Sequence, residues 1–210
     1  MDTLPLILAA SALVLAVVVY LVIRLVKKST ARKNEELDKI SKYLNGELET
    51  GSWKEQPKIE GDFRGRDFLL TFHVVNTGQS SITYLDLKMP AAAPGFELTV
   101  KKKNIFNKMT QKLGLSGAIT SGDPGFDSRV FVKGEPEQKL TAMIYDINFR
   151  HAARKLADRA YTVKLEENGE RLAATKVYSR KKDLKGEVLE SDLTALSDLG
   201  QALEGEGKGW

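Results

Sequence analysis

From Leu4 to Ile23 the chain runs LPLILAASALVLAVVVYLVI, twenty residues without a charge. As a helix rising about 1.5 Å per residue, that run is about 30 Å long, the thickness of a bilayer's hydrocarbon core. Thirteen of the twenty are Leu, Ile or Val, and insertion of these contributes roughly −4 to −8 kcal/mol as an upper estimate. Pro5 stands at the start, where it breaks no helical hydrogen bond, and Tyr20 near the far end, where an amphipathic ring favours the interface. A cleaved signal peptide fits poorly: Met1–Thr3 holds no basic residue, the apolar run is too long and no A-x-A site follows. The pattern predicts a single membrane span, with Leu4, Leu8, Leu13, Val18, Tyr20 and Ile23 as its anchoring side chains.

After the span the pattern changes period. Leu37, Ile40, Leu44 and Leu48 are three or four apart, an amphipathic helical stripe over residues 34–49 that decays at Gly46 and Gly51. Phe68, Leu70, Phe72 and Val74 alternate, as do Phe96, Leu98 and Val100, and Ile82–Leu87 is rich in β-branched and aromatic residues. These predict three or four antiparallel strands over residues 57–100, turning at Asn76–Gly78 and stopping at Pro90. Ile105, Phe106, Met109 and Leu113 predict a short helix over 101–113, and Val130–Val132 a short strand. Phe149, Ala152, Ala153, Leu156, Ala157 and Ala160 predict a helix over 146–160 with Asp146 as its N-cap. Tyr161, Val163 and Leu165 begin a hairpin that turns at Asn168–Gly169 and returns over Leu172–Tyr178. A last helix is expected over 187–203, striped by Leu189, Leu193, Leu196 and Leu203.

Strands arrive in a block and a hairpin, without strict β–α alternation. The expected class is therefore α+β: one N-terminal transmembrane helix, then an antiparallel sheet packed by helices. The expected organisation is a membrane anchor with basic flank at 1–33, a juxtamembrane helix and link at 34–56, a soluble domain at 57–203 and a disordered tail at 204–210.

Charge changes this picture at one point. The chain has 32 Lys+Arg against 28 Asp+Glu, an excess that could suggest a nucleic-acid partner. Yet Arg24, Lys27, Lys28, Arg32 and Lys33 oppose only Asp2 within residues 1–33, and the remaining residues balance at 27 of each sign. The excess flanks the span, so no nucleic-acid role follows. All five basic groups follow the span, which by the positive-inside rule puts the C-terminal domain in the cytoplasm and the N-terminus outside. The same five could also hold anionic lipid. With no cysteine, disulfides, thiolate metal sites and Cys nucleophiles are excluded.

Lys101, Lys102, Lys103, Lys108 and Lys112 form a lysine-rich stretch with no acid between Glu97 and Asp123. It could lie on anionic lipid or an acidic partner, or simply face water while its short apolar stripe packs on the sheet. Residues 183–206, by contrast, carry seven acids, which an anionic membrane would repel. Catalytic candidates are few. His73 and His151 lack any partner spacing: His73 is expected to be structural and His151 solvated. Asp123 and Asp127 could hold a metal or phosphoryl group, but Asp before Pro with Gly125 nearby is also ordinary turn chemistry. The glycines of Gly61-Asp-Phe-Arg-Gly65 enter a strand, as in a tight hairpin and not a phosphate loop. No cofactor and no metal site is implied.

Two short segments, Glu60-Gly-Asp-Phe-Arg-Gly-Arg66 (G-x-F-x-G-R) and Ser121-Gly-Asp-Pro-Gly-Phe-Asp127 (G-D-P-x-F-D), precede in turn a strand and a strand–helix–hairpin–helix series. Together they resemble a loosely defined group of uncharacterised bacterial single-pass membrane-anchored proteins of unknown function. The resemblance implies a bacterial inner-membrane protein and transfers no catalytic residue. The expected function is a membrane-tethered, non-catalytic interaction or scaffold domain with a protein partner and an oligomeric state left open. The alternatives are a ligand- or lipid-binding domain, with a pocket between the sheet and the 146–160 helix, and less favourably a hydrolase using Asp123 and Asp127.

Overall fold

One helix, α1, runs unbroken from Leu4 to Tyr43. The computed structural model describes residues 4–51, 55–103, 117–166 and 169–207; the side chains of residues 4–12, 14, 181, 206 and 207 lie outside that description. The predicted span and the predicted juxtamembrane helix are thus one element, with no break at residue 33. The stripe is real as far as Leu44: Leu37, Ile40 and Leu44 are all buried in the core. The helix then stops two turns earlier than the pattern suggested. Asn45 takes a left-handed φ of 52°, and Gly46–Glu49 forms the edge strand β1, so Leu48 reaches the core from a strand.

The remaining strands are β2 (Lys58–Asp62), β3 (Asp67–Asn76), β4 (Ser81–Pro90), β5 (Glu97–Lys102), β6 (Val130–Glu135), β7 (Thr162–Glu166) and β8 (Arg171–Val177). They form one eight-stranded sheet in the order β1-β2-β3-β4-β8-β7-β5-β6, with every pairing antiparallel. The expected α+β class with an antiparallel sheet and packing helices is what the chain adopts. The helices are α2 (Pro124–Asp127), α3 (Glu137–Ile144), α4 (Ile147–Asp158), α5 (Arg180–Asp183) and α6 (Gly186–Gly207).

The alternation in the sequence sets the two faces of the sheet. Phe68, Leu70, Phe72, Leu85, Leu87, Met89, Val100, Val132, Val163, Leu172 and Ala174 point to the side covered by helices. There α4 packs on α6 and on β5, burying Phe149, Ala152, Ala153 and Leu156 completely or nearly so. The interface between α4 and the sheet, where the alternative ligand-binding reading placed a pocket, is filled by these side chains. Asp146 caps α4 as predicted, its Oδ1 accepting the Asn148 N–H at 2.7 Å.

Three other differences have local causes. Helix α3 had only Leu140, Met143 and Ile144 on its buried side, too few positions to stand out as a period. The chain from Glu204, expected to be disordered, continues as helix to Gly207 because the Arg66 guanidinium holds the Glu204 carboxylate with bonds of 2.8 and 2.6 Å. The predicted helix over 101–113 falls mostly outside the described residues, as do Lys108 and Lys112; Lys101 and Lys102 lie in β5.

Candidate functional site

Helix α1 divides into two parts by what surrounds it. Leu13, Leu15, Val17–Ile23, Leu25 and Val26 are all exposed, on every side of the helix. Leu4 and Leu8 fall among side chains outside the description. Among the described residues, no helix is long and apolar enough to cross a membrane; the twenty-residue apolar run begins within the undescribed side chains. Arg24, Lys27, Lys28 and Arg32 are exposed.

Lys33 is different. Its Nζ donates to Gln56 Oε1 at 3.2 Å and sits 4.3 Å from the centre of the Phe72 ring. Partial burial and then the nearby Arg180 charge hold this ammonium below the ordinary lysine value. Beyond Lys33 the helix is fixed to the domain. Arg180 grips Glu36 with two bonds of 2.8 Å, and Tyr43 donates to Glu190 of α6 at 2.8 Å. Sequence reasoning grouped Lys33 with the free basic flank; the structure groups it with the joint between helix and domain.

The predicted carboxylate pair is engaged in its own loop. Asp127 accepts Ser121 N–H and Oγ–H on Oδ1 at 2.9 and 3.0 Å, and the Gly122 N–H on Oδ2 at 3.0 Å. Asp123 Oδ1 accepts the Gly125 and Phe126 N–H groups, capping α2. These are the bonds of turn chemistry. Of the lysine stretch, Lys101 lies 4.9 Å from the Phe131 ring centre and Lys103 donates to the Asp127 carbonyl at 2.6 Å.

The structure assembles a polar cluster that sequence reasoning missed, on the sheet face that carries no helix among the described residues. His73 pairs across the hairpin with Tyr84, and Asp86 across the next ladder with Thr175. His73 Nδ1 meets Asp86 Oδ2, and Thr175 donates to Asp86 Oδ1 at 2.6 Å. Tyr84 stacks on the imidazole at 5.0 Å with only 9° between the planes. Asp86 is buried, whereas His73 is half-exposed. The Thr175 hydroxyl gives its proton to Asp86, so the histidine has no activated hydroxyl beside it. His73, Tyr84 and Thr175 line a shallow groove of about 390 Å³ with Thr162, Lys164 and Glu166. Among the described residues, no group of three or more His, Asp or Glu could hold a metal ion. His151, expected to be solvated, is exposed, as placed on the outer side of α4.

A second polar cluster is buried between β8 and α6. Lys176 Nζ lies 2.9 Å from Asp183 Oδ1 and 3.3 Å from Asp192 Oδ2. Tyr161 donates to Asp192 Oδ2 at 2.9 Å while its ring lies 4.2 Å from the Lys176 ammonium. Arg159 Nε approaches Asp192 Oδ1 at 3.3 Å. Two cations thus balance two carboxylates, which is what makes their burial tolerable. Burial first, and then the Asp192 charge, push the Tyr161 phenol far above its ordinary value. The signal was present: Lys176 follows Leu172 and Ala174 at inward-facing parity, and Asp192 interrupts the Leu189–Leu196 stripe.

No family model and no curated protein matches the chain. Among solved structures, the mycobacterial trehalose monomycolate transport factor A, TtfA, is similar with a TM-score of 0.48 at 10% identity, over 78% of this chain and 92% of that one. A likeness of that degree carries no functional weight.

Proposed function

We propose that the protein is a membrane-tethered interaction module: α1 anchors it in a bacterial inner membrane, and the α+β domain meets a protein partner in the cytoplasm. One observation carries this reading. Helix α1 is apolar on every side and uncovered from Leu15 to Ile23, yet the same helix buries Leu37 and Ile40 in the domain core. An exposed apolar surface that encircles a helix has no favourable place in water; lipid removes it. The basic residues that follow the run support the cytoplasmic orientation. The domain then takes its position from a rigid helix and not from a linker, which suits a scaffold.

The test is flotation of the full chain with vesicles, alongside a chain beginning at residue 34. Full-length protein should float and resist extraction by carbonate; the shortened protein should stay soluble. A full-length chain that remains in the soluble fraction overturns the anchor. An alkaline phosphatase fusion after Lys33 that is active in the periplasm overturns the orientation.

A second reading, ligand binding at the open sheet face, is favoured by the fixed imidazole of His73 above its groove. It predicts that a bound small polar ligand shifts the His73 imidazole resonances and that His73→Ala abolishes the shift.

A further inference from the structure

The direction of the strands relative to α1 gives the domain a membrane-facing end. After Tyr43 the chain reverses into β1, whose Gly46 opposes Gly61, which in turn opposes Phe68 of β3. Four residues further along β3, Phe72 lies under Lys33, ten residues back along α1. β3 therefore runs toward the N-terminal end of α1. From Phe72 to Asn76 it extends about 13 Å more at about 3.3 Å per residue. From Lys33 back to Ile23 the helix covers about 15 Å. The tip of the β3–β4 hairpin and the end of the apolar run thus reach similar heights.

The composition of that tip is unusual for a solvated hairpin. From Val74 to Leu85 there is no charged side chain: VVNTGQSSITYL. Val74 and Val75, whose side chains point to opposite faces, are 42% and 43% exposed, and Val177 at the neighbouring end of β8 is 59% exposed. β3 and β4 continue past the part of the core that α1 covers, with apolar and small hydroxyl or amide groups. Cations surround the same end: Lys33 beside Phe72, Arg180 and exposed Lys182 just after β8, and Arg24, Lys27, Lys28 and Arg32 on α1. Glu36 lies at this end too, held by Arg180, whereas Glu204 lies at the other end, where it meets Arg66 and the Ala92 N–H.

We propose that the β3–β4 hairpin, with the end of β8, is a second membrane contact that rests in the headgroup layer of an anionic bilayer beside α1. The inference rests on α1 being a membrane anchor. Valines without charge tolerate the interface, Asn76, Thr77, Gln79 and Ser80 can exchange hydrogen bonds with headgroups, and the surrounding cations match anionic lipid. Two contacts, helix and hairpin, hold the sheet on edge to the membrane and turn the end that holds Glu204 away from it.

The natural absence of cysteine allows a direct test. Gln79→Cys at the hairpin tip and Ala92→Cys at the opposite end, each in the full chain, are labelled with an environment-sensitive dye. They are then placed in phosphatidylcholine–phosphatidylglycerol vesicles carrying a headgroup spin-label quencher. The expected result is quenching at position 79 at least threefold greater than at 92. Equal quenching at the two positions, in protein that floats with the vesicles, overturns the hairpin contact and leaves the anchor standing. Protein that fails to float overturns both.

Discussion

Arg180 and Glu36 are joined by two bonds of 2.8 Å, Nε to Oε2 and Nη2 to Oε1, across 144 positions of sequence. This pair ties the segment between β8 and α6 to the stretch of α1 that enters the domain. Both side chains are 39% exposed, so solvent screens the pair and it adds little to global stability. Its role is local: it stops the helix from fraying where it leaves the core. Arg180→Ala is expected to speed amide exchange at residues 29–36 while leaving the melting temperature nearly unchanged. Hydrogen exchange resolved by mass spectrometry checks both halves, and exchange at 29–36 equal to wild type would remove this role from the pair.

The buried cluster around Lys176 responds differently. Asp192 is completely buried and faces Lys176, Arg159 and Tyr161. Removing it leaves the buried Lys176 with Asp183 alone and the partly exposed Arg159 without its carboxylate. Asp192→Ala should therefore destabilise the domain by about 3–5 kcal/mol, the usual result of breaking a buried ion pair from one side. Urea unfolding measures it, and a loss below about 1 kcal/mol would show that water reaches the cluster.

The elements that sequence reasoning found are those whose burial repeats with a period. Phe68, Leu70 and Phe72 alternate, and Leu189, Leu193 and Leu196 fall on one helical stripe; all six are buried. Leu48 defeated the same logic, because its spacing from Leu44 fits a helix equally well and only the turn at Asn45 ends it. The pairing of His73 with Asp86 follows from the register of one hairpin, in which Asn76 opposes Ser81, so it was within reach. Thr175 was not, because it joins Asp86 only when β8 is known to lie beside β4, a contact spanning 89 positions. Likewise the two G-x-F-x-G-R and G-D-P-x-F-D segments prove to be a β2–β3 hairpin turn and a capped loop, where Asp62 and Asp123 bind backbone N–H groups.

Gly169 begins the return to β8 with φ at +95°. A Cβ there would lie 1.9 Å from the Ala93 carbonyl oxygen, itself the neighbour of the Ala93 N–H bond to Gly169 O at 3.1 Å. Backbone on both sides leaves no flexible side chain to move aside. Gly169→Ala combines this clash with a left-handed conformation and should cost about 1–3 kcal/mol. Gly78, with φ at +81° but open space around it, carries only the conformational part, so Gly78→Ala should cost less. Chemical denaturation of the two variants side by side tests the order, and the reverse order would contradict the close approach at Ala93.

Three of the six tyrosines hold their phenolic protons above the ordinary value: Tyr43, whose hydroxyl donates to Glu190, and the more buried Tyr161 and Tyr178. Burial is the main cause for Tyr161 and Tyr178. It lifts Tyr178 from 10.0 to about 12, with a hydroxyl that finds no hydrogen-bond partner among the described residues. Tyr161 is raised further, by burial and by the charge of Asp192. In each case the folded state holds its phenolic proton more tightly than the unfolded chain. Stability is therefore fully present below the ordinary tyrosine value and falls as pH climbs through the window from 10.0 to about 12 set by Tyr178. Absorbance near the tyrosinate band, followed during alkaline titration, should show Tyr161 and Tyr178 ionising late and together with unfolding. Tyr178→Phe should remove the late signal of one residue and flatten the decline of stability across that window. A late signal unchanged in both Tyr178→Phe and Tyr161→Phe would mean that the resisting phenols lie elsewhere in the chain.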